Sequence, residues 1–203
     1  MQNGLQLNPD KSEALIVGTS SQLIQVLPAV PSLTVAGVNL PVFEEIKVLG
    51  VILDRRVTFE KHATAVAKSC NYHAQANGHI RHFLTPELAQ TLACSLILSR
   101  IDYCNALLYG APTGTIQKLQ RVQNNAAWIV LQMSRRSHAK PLLHSLHWLP
   151  VDQRIIYKMA VVTFKFSAPQ RQPISAVTYS PATVCGIYSR RTHLCCVSTF
   201  HQN

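Results

Sequence analysis

The side chains best placed to do chemistry in this sequence are cations. Lys118 and Arg121 stand three residues apart, Arg135, Arg136 and Lys140 extend the basic strip, and Arg154 and Lys158 follow at a four-residue step. Fixed cations in series are what a phosphate backbone requires, since each phosphate neutralised releases condensed counterions. The charge balance agrees. The formal net charge is +10, and it is unevenly spread: residues 1–102 carry 8 basic and 8 acidic side chains, whereas 103–203 carry 11 basic ones against the single acid Asp152. Such an excess points to a polyanion, either nucleic acid or an acidic membrane surface. Other chemistries find little support. There is no glycine-rich phosphate loop, nucleophile elbow or His-Glu-x-x-His. His193, Cys195, Cys196 and His201 are ligand types, but they lack Cys-x-x-Cys spacing, and adjacent cysteines chelate one tetrahedral ion poorly. No metal site is expected.

The elements that must carry these cations follow from periodicity. Short β-rich runs at 14–18, 33–40 and 46–53 are punctuated by Pro28, Pro31, Gly37, Asn39 and Pro41, which predicts a small antiparallel element. Beyond Asp54 the apolar residues recur at three- and four-residue steps: Phe59, Ala63, Val66, Ala67, Cys70, Ala74, Ile80 and Phe83 mark one helix, with Thr58 as its N-cap. Thr85-Pro86-Glu87-Leu88 opens a second, running to about Cys104. After the break at 110–114, Ile116, Leu119, Val122, Ala126, Ile129 or Val130, and Met133 face inward on a third, with Lys118, Arg121, Asn125 and Gln132 opposite. A fourth follows Pro150, with Ile155, Met159 and Val162 inward and Arg154, Lys158 and Lys165 outward. Past Phe166 the periodicity fails, and the segment 167–203 is expected to be irregular.

No apolar run approaches the roughly 20 residues that span a bilayer; the densest, 92–98, is interrupted by Ser95. No membrane association is expected. The N-terminus lacks the basic start and apolar stretch of a secretory signal, so a nuclear or cytoplasmic, non-secreted protein with reduced cysteines is the expectation.

Four blocks, LNPDKSEALIVG at 7–18, KVLGVILD at 47–54, SRIDYCNALLYG at 99–110 and HSLHWLPVDQRIIYKMAVVTFK at 144–165, occur in an order that resembles the run following the catalytic strands of LINE-type, non-LTR retrotransposon reverse transcriptases. The resemblance spans about 5–166. It implies an α+β fold: the end of a polymerase palm at 1–54, a helical, thumb-like bundle at 55–166, and the irregular tail. It further implies that Lys11 donates a proton to the departing pyrophosphate. Read without the family, Asn8-Pro9-Asp10-Lys11 is a solvated turn before a strand. Leu49-Gly50 would lie at the centre of a primer-gripping hairpin; by itself the same run reads as a buried strand with a bulge at Gly50. The thumb-like helices would lie along the minor groove of a template–primer duplex, with Lys118, Arg121, Arg135, Arg136, Lys140, Arg154 and Lys158 on phosphates. Asp102, Tyr103, His144, His147 and Trp148 lie inside family-like blocks, but read as buried, hydrogen-bonded packing.

In that family, two Mg²⁺ ions are held by aspartates that include an adjacent pair on a hairpin upstream of the matched region. Here Asp10, Asp54, Asp102 and Asp152 are all separated, and the only adjacent acids are Glu44 and Glu45. The sequence therefore predicts a retrotransposon-derived fragment of an RNA-directed DNA polymerase without catalytic carboxylates or cofactor of its own, retaining affinity for RNA–DNA or DNA duplexes. The alternatives are a stand-alone binding module kept by a host, and a polymerase whose catalytic half precedes Met1. Oligomeric state is not legible in the sequence.

Overall fold

The computed structural model describes residues 8, 12–26, 28, 32–35, 37–167, 185–189 and 192–198. It is α+β, and the chain divides into two units, Met1–Thr58 with Pro173–Asn203, and Phe59–Gln172.

In the first unit, strand β1 (Ser12–Ile16) leads through helix α1 (Ser20–Val26) to the hairpin β2 (Ser32–Val35) and β3 (Val38–Phe43). Ala14, Leu15 and Ile16 are all buried, as in a strand covered on both faces. Helix α1 has a signal that apolar periodicity misses. Thr19 accepts from the Gln22 N–H, and Gln22 Oε1 accepts in return from the Thr19 N–H at 2.9 Å, a reciprocal capping box. The crossover through α1 and β2 brings β3 parallel to β1, with Ala14 opposite Val42, so the sheet is antiparallel-rich rather than wholly antiparallel. Two further strands, β6 (Cys185–Ser189) and β7 (Thr192–Ser198), form a hairpin whose β7 pairs antiparallel with β1, giving the order β2-β3-β1-β7-β6. They lie within the segment expected to be irregular; a strand is specified by its partner as much as by its own pattern.

Strands β4 (Glu45–Val48) and β5 (Val51–Asp54) pair with Val48 opposite Val51. Between them Leu49 (φ 48°) and Gly50 (φ 85°) are both left-handed, so the expected bulge is instead a two-residue hairpin turn of the primed kind, whose twist matches that of its strands. Asp54 closes the unit: Oδ1 accepts from the N–H groups of Arg56 (3.0 Å) and Thr58 (3.1 Å), and Oδ2 from the Thr58 hydroxyl at 3.0 Å. Thr58 is thus engaged by Asp54, and the N-cap of the next helix is the buried, left-handed Phe59.

The second unit is helical. Helix α2 (Glu60–Ile80) buries Ala63, Cys70 and Ala74. Helix α3 (Pro86–Ala93) begins as expected, with Thr85 Oγ1 accepting from the Leu88 N–H. It does not continue as a regular helix to Cys104. A π turn at Cys94–Leu98 intervenes before α4 (Ser99–Asp102), and the hydroxyls of Thr91, Ser95 and Ser99 each donate to the carbonyl four residues back, which perturbs a helical ladder. Cys70 Sγ donates to the carbonyl of Ile97 in this turn at 3.6 Å.

Helix α5 (Thr113–Val130) buries Leu119, Val122, Ala126, Ala127 and Val130. It ends in a Schellman motif: Gln132 is left-handed (φ 53°), its N–H donates to Ile129, and the Met133 N–H donates to Trp128. Met133 therefore leaves the apolar face and is exposed. Helix α6 (Ala139–Ser145) ends the same way, with His147 left-handed and the Trp148 N–H donating to Leu143. Trp148 and Leu143 are both buried, whereas His144 and His147 are exposed.

Helix α7 (Val151–Ser167) is fixed at its start by two amides of α5. Gln120 Oε1 accepts from the Val151 N–H at 2.8 Å, and Gln123, fully buried, donates to the Leu149 carbonyl at 2.8 Å while accepting from Gln120 at 3.0 Å. Only Val151 and Ile155 of α7 are buried; Val162, expected inward, is exposed with Phe164 and Phe166, because the inward face outruns its neighbours.

Candidate nucleic-acid interface

Helices α2 and α5 pack on one another through small buried side chains, Ala63, Cys70 and Ala74 on α2 and Ala126 and Ala127 on α5, and a groove runs along one side of the pair. Its volume is about 450 Å³, and its lining includes Asn71 and Gln75 from α2, Lys118, Arg121 and Asn125 from α5, and Arg135 from the following loop. A second hollow of about 300 Å³ shares Asn125 and Arg135 and continues past Arg81, His82 and Gln132. Among the described residues no acidic side chain lines either hollow, although Glu60 reaches Lys118 at the edge of the first. The loop carrying Arg135 is held by the Trp128 indole, which donates to the Ser137 carbonyl at 3.1 Å, and by the Ser137 N–H on Ser134.

The cations differ in availability. Lys118 Nζ is 2.6 Å from Glu60 Oε1 and 3.2 Å from Thr64 Oγ1. Arg81 is turned inward, with Nε on the Val130 carbonyl and Nη1 on that of Leu84, both at 2.8 Å. Arg121 and Arg135 form no ion pair among the described residues, and both are exposed.

The seven cations singled out by sequence do not share one surface. Lys118, Arg121 and Arg135 come together in the groove, and Arg136 is exposed beside Arg135. Lys140 lines a separate cavity with Asp152. Arg154 and Lys158 line a third, where Arg154 is committed: its Nη1 lies 2.6 Å from Asp102 Oδ2 and its Nε donates to the Leu149 carbonyl at 2.8 Å. Asp102 is thus an ion-pair partner, as a packing role requires, but Tyr103 beside it is exposed. Leu49 and Gly50 form the tip of the β4–β5 hairpin, with Leu49 83% exposed. Lys11 and His201 lie outside the described residues.

Sequence reasoning missed the amides Asn71 and Gln75. Their four-residue spacing on the polar side of α2 was the available signal. Among the described residues no three of His, Cys, Asp and Glu cluster as a metal-holding group, and no helix is long and apolar enough to cross a membrane. Compared with protein-family models, with curated proteins and with solved structures, the chain matches none.

Proposed function

We propose that this chain is the palm-end and thumb portion of a LINE-type reverse transcriptase, catalytically inactive by itself, and that it binds an RNA–DNA or DNA duplex through the α2–α5 groove. One observation carries the binding half: a groove in which Lys118 is paired with Glu60 but Arg121 and Arg135 have no ion-pair partner among the described residues, and whose lining also holds the amides of Asn71, Gln75 and Asn125. Guanidinium groups take phosphate oxygens, and amides donate to sugar, phosphate or minor-groove acceptors. The origin rests on the four ordered sequence blocks, and the inactivity on the separation of the aspartates. Of these, Asp54 is engaged in the turn before α2 and Asp102 in the pair with Arg154.

The test is fluorescence anisotropy of a labelled RNA–DNA hybrid across a salt series. Two phosphates neutralised by Arg121 and Arg135 give a log–log slope near −2, and the double variant R121E/R135E abolishes that dependence. Unchanged binding removes the groove from consideration. Primer extension with Mg²⁺ or Mn²⁺ should yield no product; incorporation would refute the inactivity. A second reading, a stand-alone binding module, draws on the self-contained core of Phe59–Gln172.

A further inference from the structure

Away from the groove, a cavity of about 260 Å³ is lined by Asp102, Asn105, His147, Leu149, Arg154, Tyr157 and Lys158. It lies just below the ~300–1,000 Å³ range typical of drug-sized ligands, which leaves room for about one heteroaromatic ring system. Its polar end has a fixed orientation. Asn105 is 2% exposed, and its Nδ2 donates to Asp102 Oδ1 at 3.3 Å, while the other carboxylate oxygen holds Arg154. Reversing the amide would set two oxygens against each other, so the second amide atom must be Oδ1. That atom is buried and has no donor among the described residues. A buried acceptor in this state is complemented by an incoming N–H or O–H.

The rest of the lining narrows the donor. Tyr157 and Leu149 are 64% and 48% exposed, and they offer a ring and an apolar face on which a flat heterocycle can stack. Lys158 has no ion-pair partner among the described residues, and His147, held out by its left-handed backbone, adds a second ring donor. With Asp102 neutralised by Arg154, the uncompensated charge is positive. The lining thus combines an acceptor for an amine, a stacking wall and an anion-binding cation.

We infer that this cavity binds a nucleotide whose base carries an exocyclic amine, the amine directed to Asn105, the base against Tyr157 and the phosphate on Lys158. The nucleotide is either free or one unit of a single strand. The pocket uses none of the groove's residues, so it stands or falls separately from the duplex reading.

Titration calorimetry on the full chain with adenosine monophosphate, ribose 5-phosphate and inorganic phosphate tests it. Adenosine monophosphate should bind about tenfold or more tightly than ribose 5-phosphate, the difference reflecting the base. Y157A should erase that difference, and K158A should weaken both sugar phosphates alike; both side chains are exposed, so neither change threatens the fold. K68E, an exposed charge change outside both the cavity and the groove, should leave mononucleotide affinity unchanged. An oligoadenylate that displaces the mononucleotide marks the strand as the source, and one that does not marks the free nucleotide. Equal binding of adenosine monophosphate and ribose 5-phosphate, or indifference to Y157A, overturns the inference.

Discussion

The ammonium of Lys118 and the carboxylate of Glu60 meet at 2.6 Å across α2 and α5, with side chains 36% and 61% exposed. A phosphate entering the groove must compete with Glu60 for this cation, while Arg121 is available outright. E60Q should therefore increase duplex affinity and steepen the salt slope by about 0.9. The exposed pair itself contributes at most about 1 kcal/mol, so urea unfolding should barely change. If E60Q leaves the salt slope unaltered, Lys118 does not reach the duplex.

Arg154 joins three points of the helical unit: Asp102 at the end of α4, the Leu149 carbonyl, and its own position on α7. Its side chain is 17% exposed and that of Asp102 37%. R154A should destabilise by about 1–3 kcal/mol, discounted from the fully buried case for the partial exposure of both partners. R154K should not restore the loss, because an ammonium cannot supply both donors in that fork. Chemical denaturation of the two variants and D102N provides the comparison.

Leu49 holds a left-handed backbone at an exposed hairpin tip, a conformation that costs a branched side chain about 1–2 kcal/mol. L49N creates Asn-Gly, the dipeptide best suited to this turn, and should stabilise the hairpin by roughly 1 kcal/mol. Hydrogen exchange of the β4–β5 amides reports it directly; no gain in protection would mean that other contacts of Leu49 offset the strain.

Burial of His62 on α2 lowers its pKa from the ordinary 6.5. The unfolded chain then takes up the proton at a higher pH than the folded one. The neutral imidazole's contribution is complete above pH 6.5 and is lost as pH falls from there through the lowered folded value. Denaturation midpoints should drop between pH 7.5 and 5.5, and H62F should flatten that dependence. A wild-type profile no steeper than that of H62F would remove His62 as its cause.

Much of the helical unit was legible because its long helices obey one rule, apolar residues on one face. Thr85-Pro86 marked a start correctly, and Leu119, Val122 and Ala126 are buried as their spacing requires. The helix ends were harder. A left-handed C′ position is usually advertised by glycine or asparagine, but here it is filled by Gln132 and His147. Met133 and His147 were consequently placed on the wrong side of the surface. Helix α1 and the β6–β7 hairpin escaped for another reason: one is announced by a cap rather than a period, and the other depends on a partner far away in sequence. Of the groove, its cations were legible and its depth was not, since Lys118's engagement with Glu60 spans two helices.

The amides of Gln120 and Gln123 have a mechanical consequence. Displacing α7 along α5 by one turn would strand a buried amide together with the Leu149 carbonyl and the Val151 N–H, so half-steps are uphill and creep is suppressed. The helix has a single seat. A load applied to its exposed far end, around Phe164 and Phe166, is then transmitted to the bundle as by a stiff lever pinned at its root.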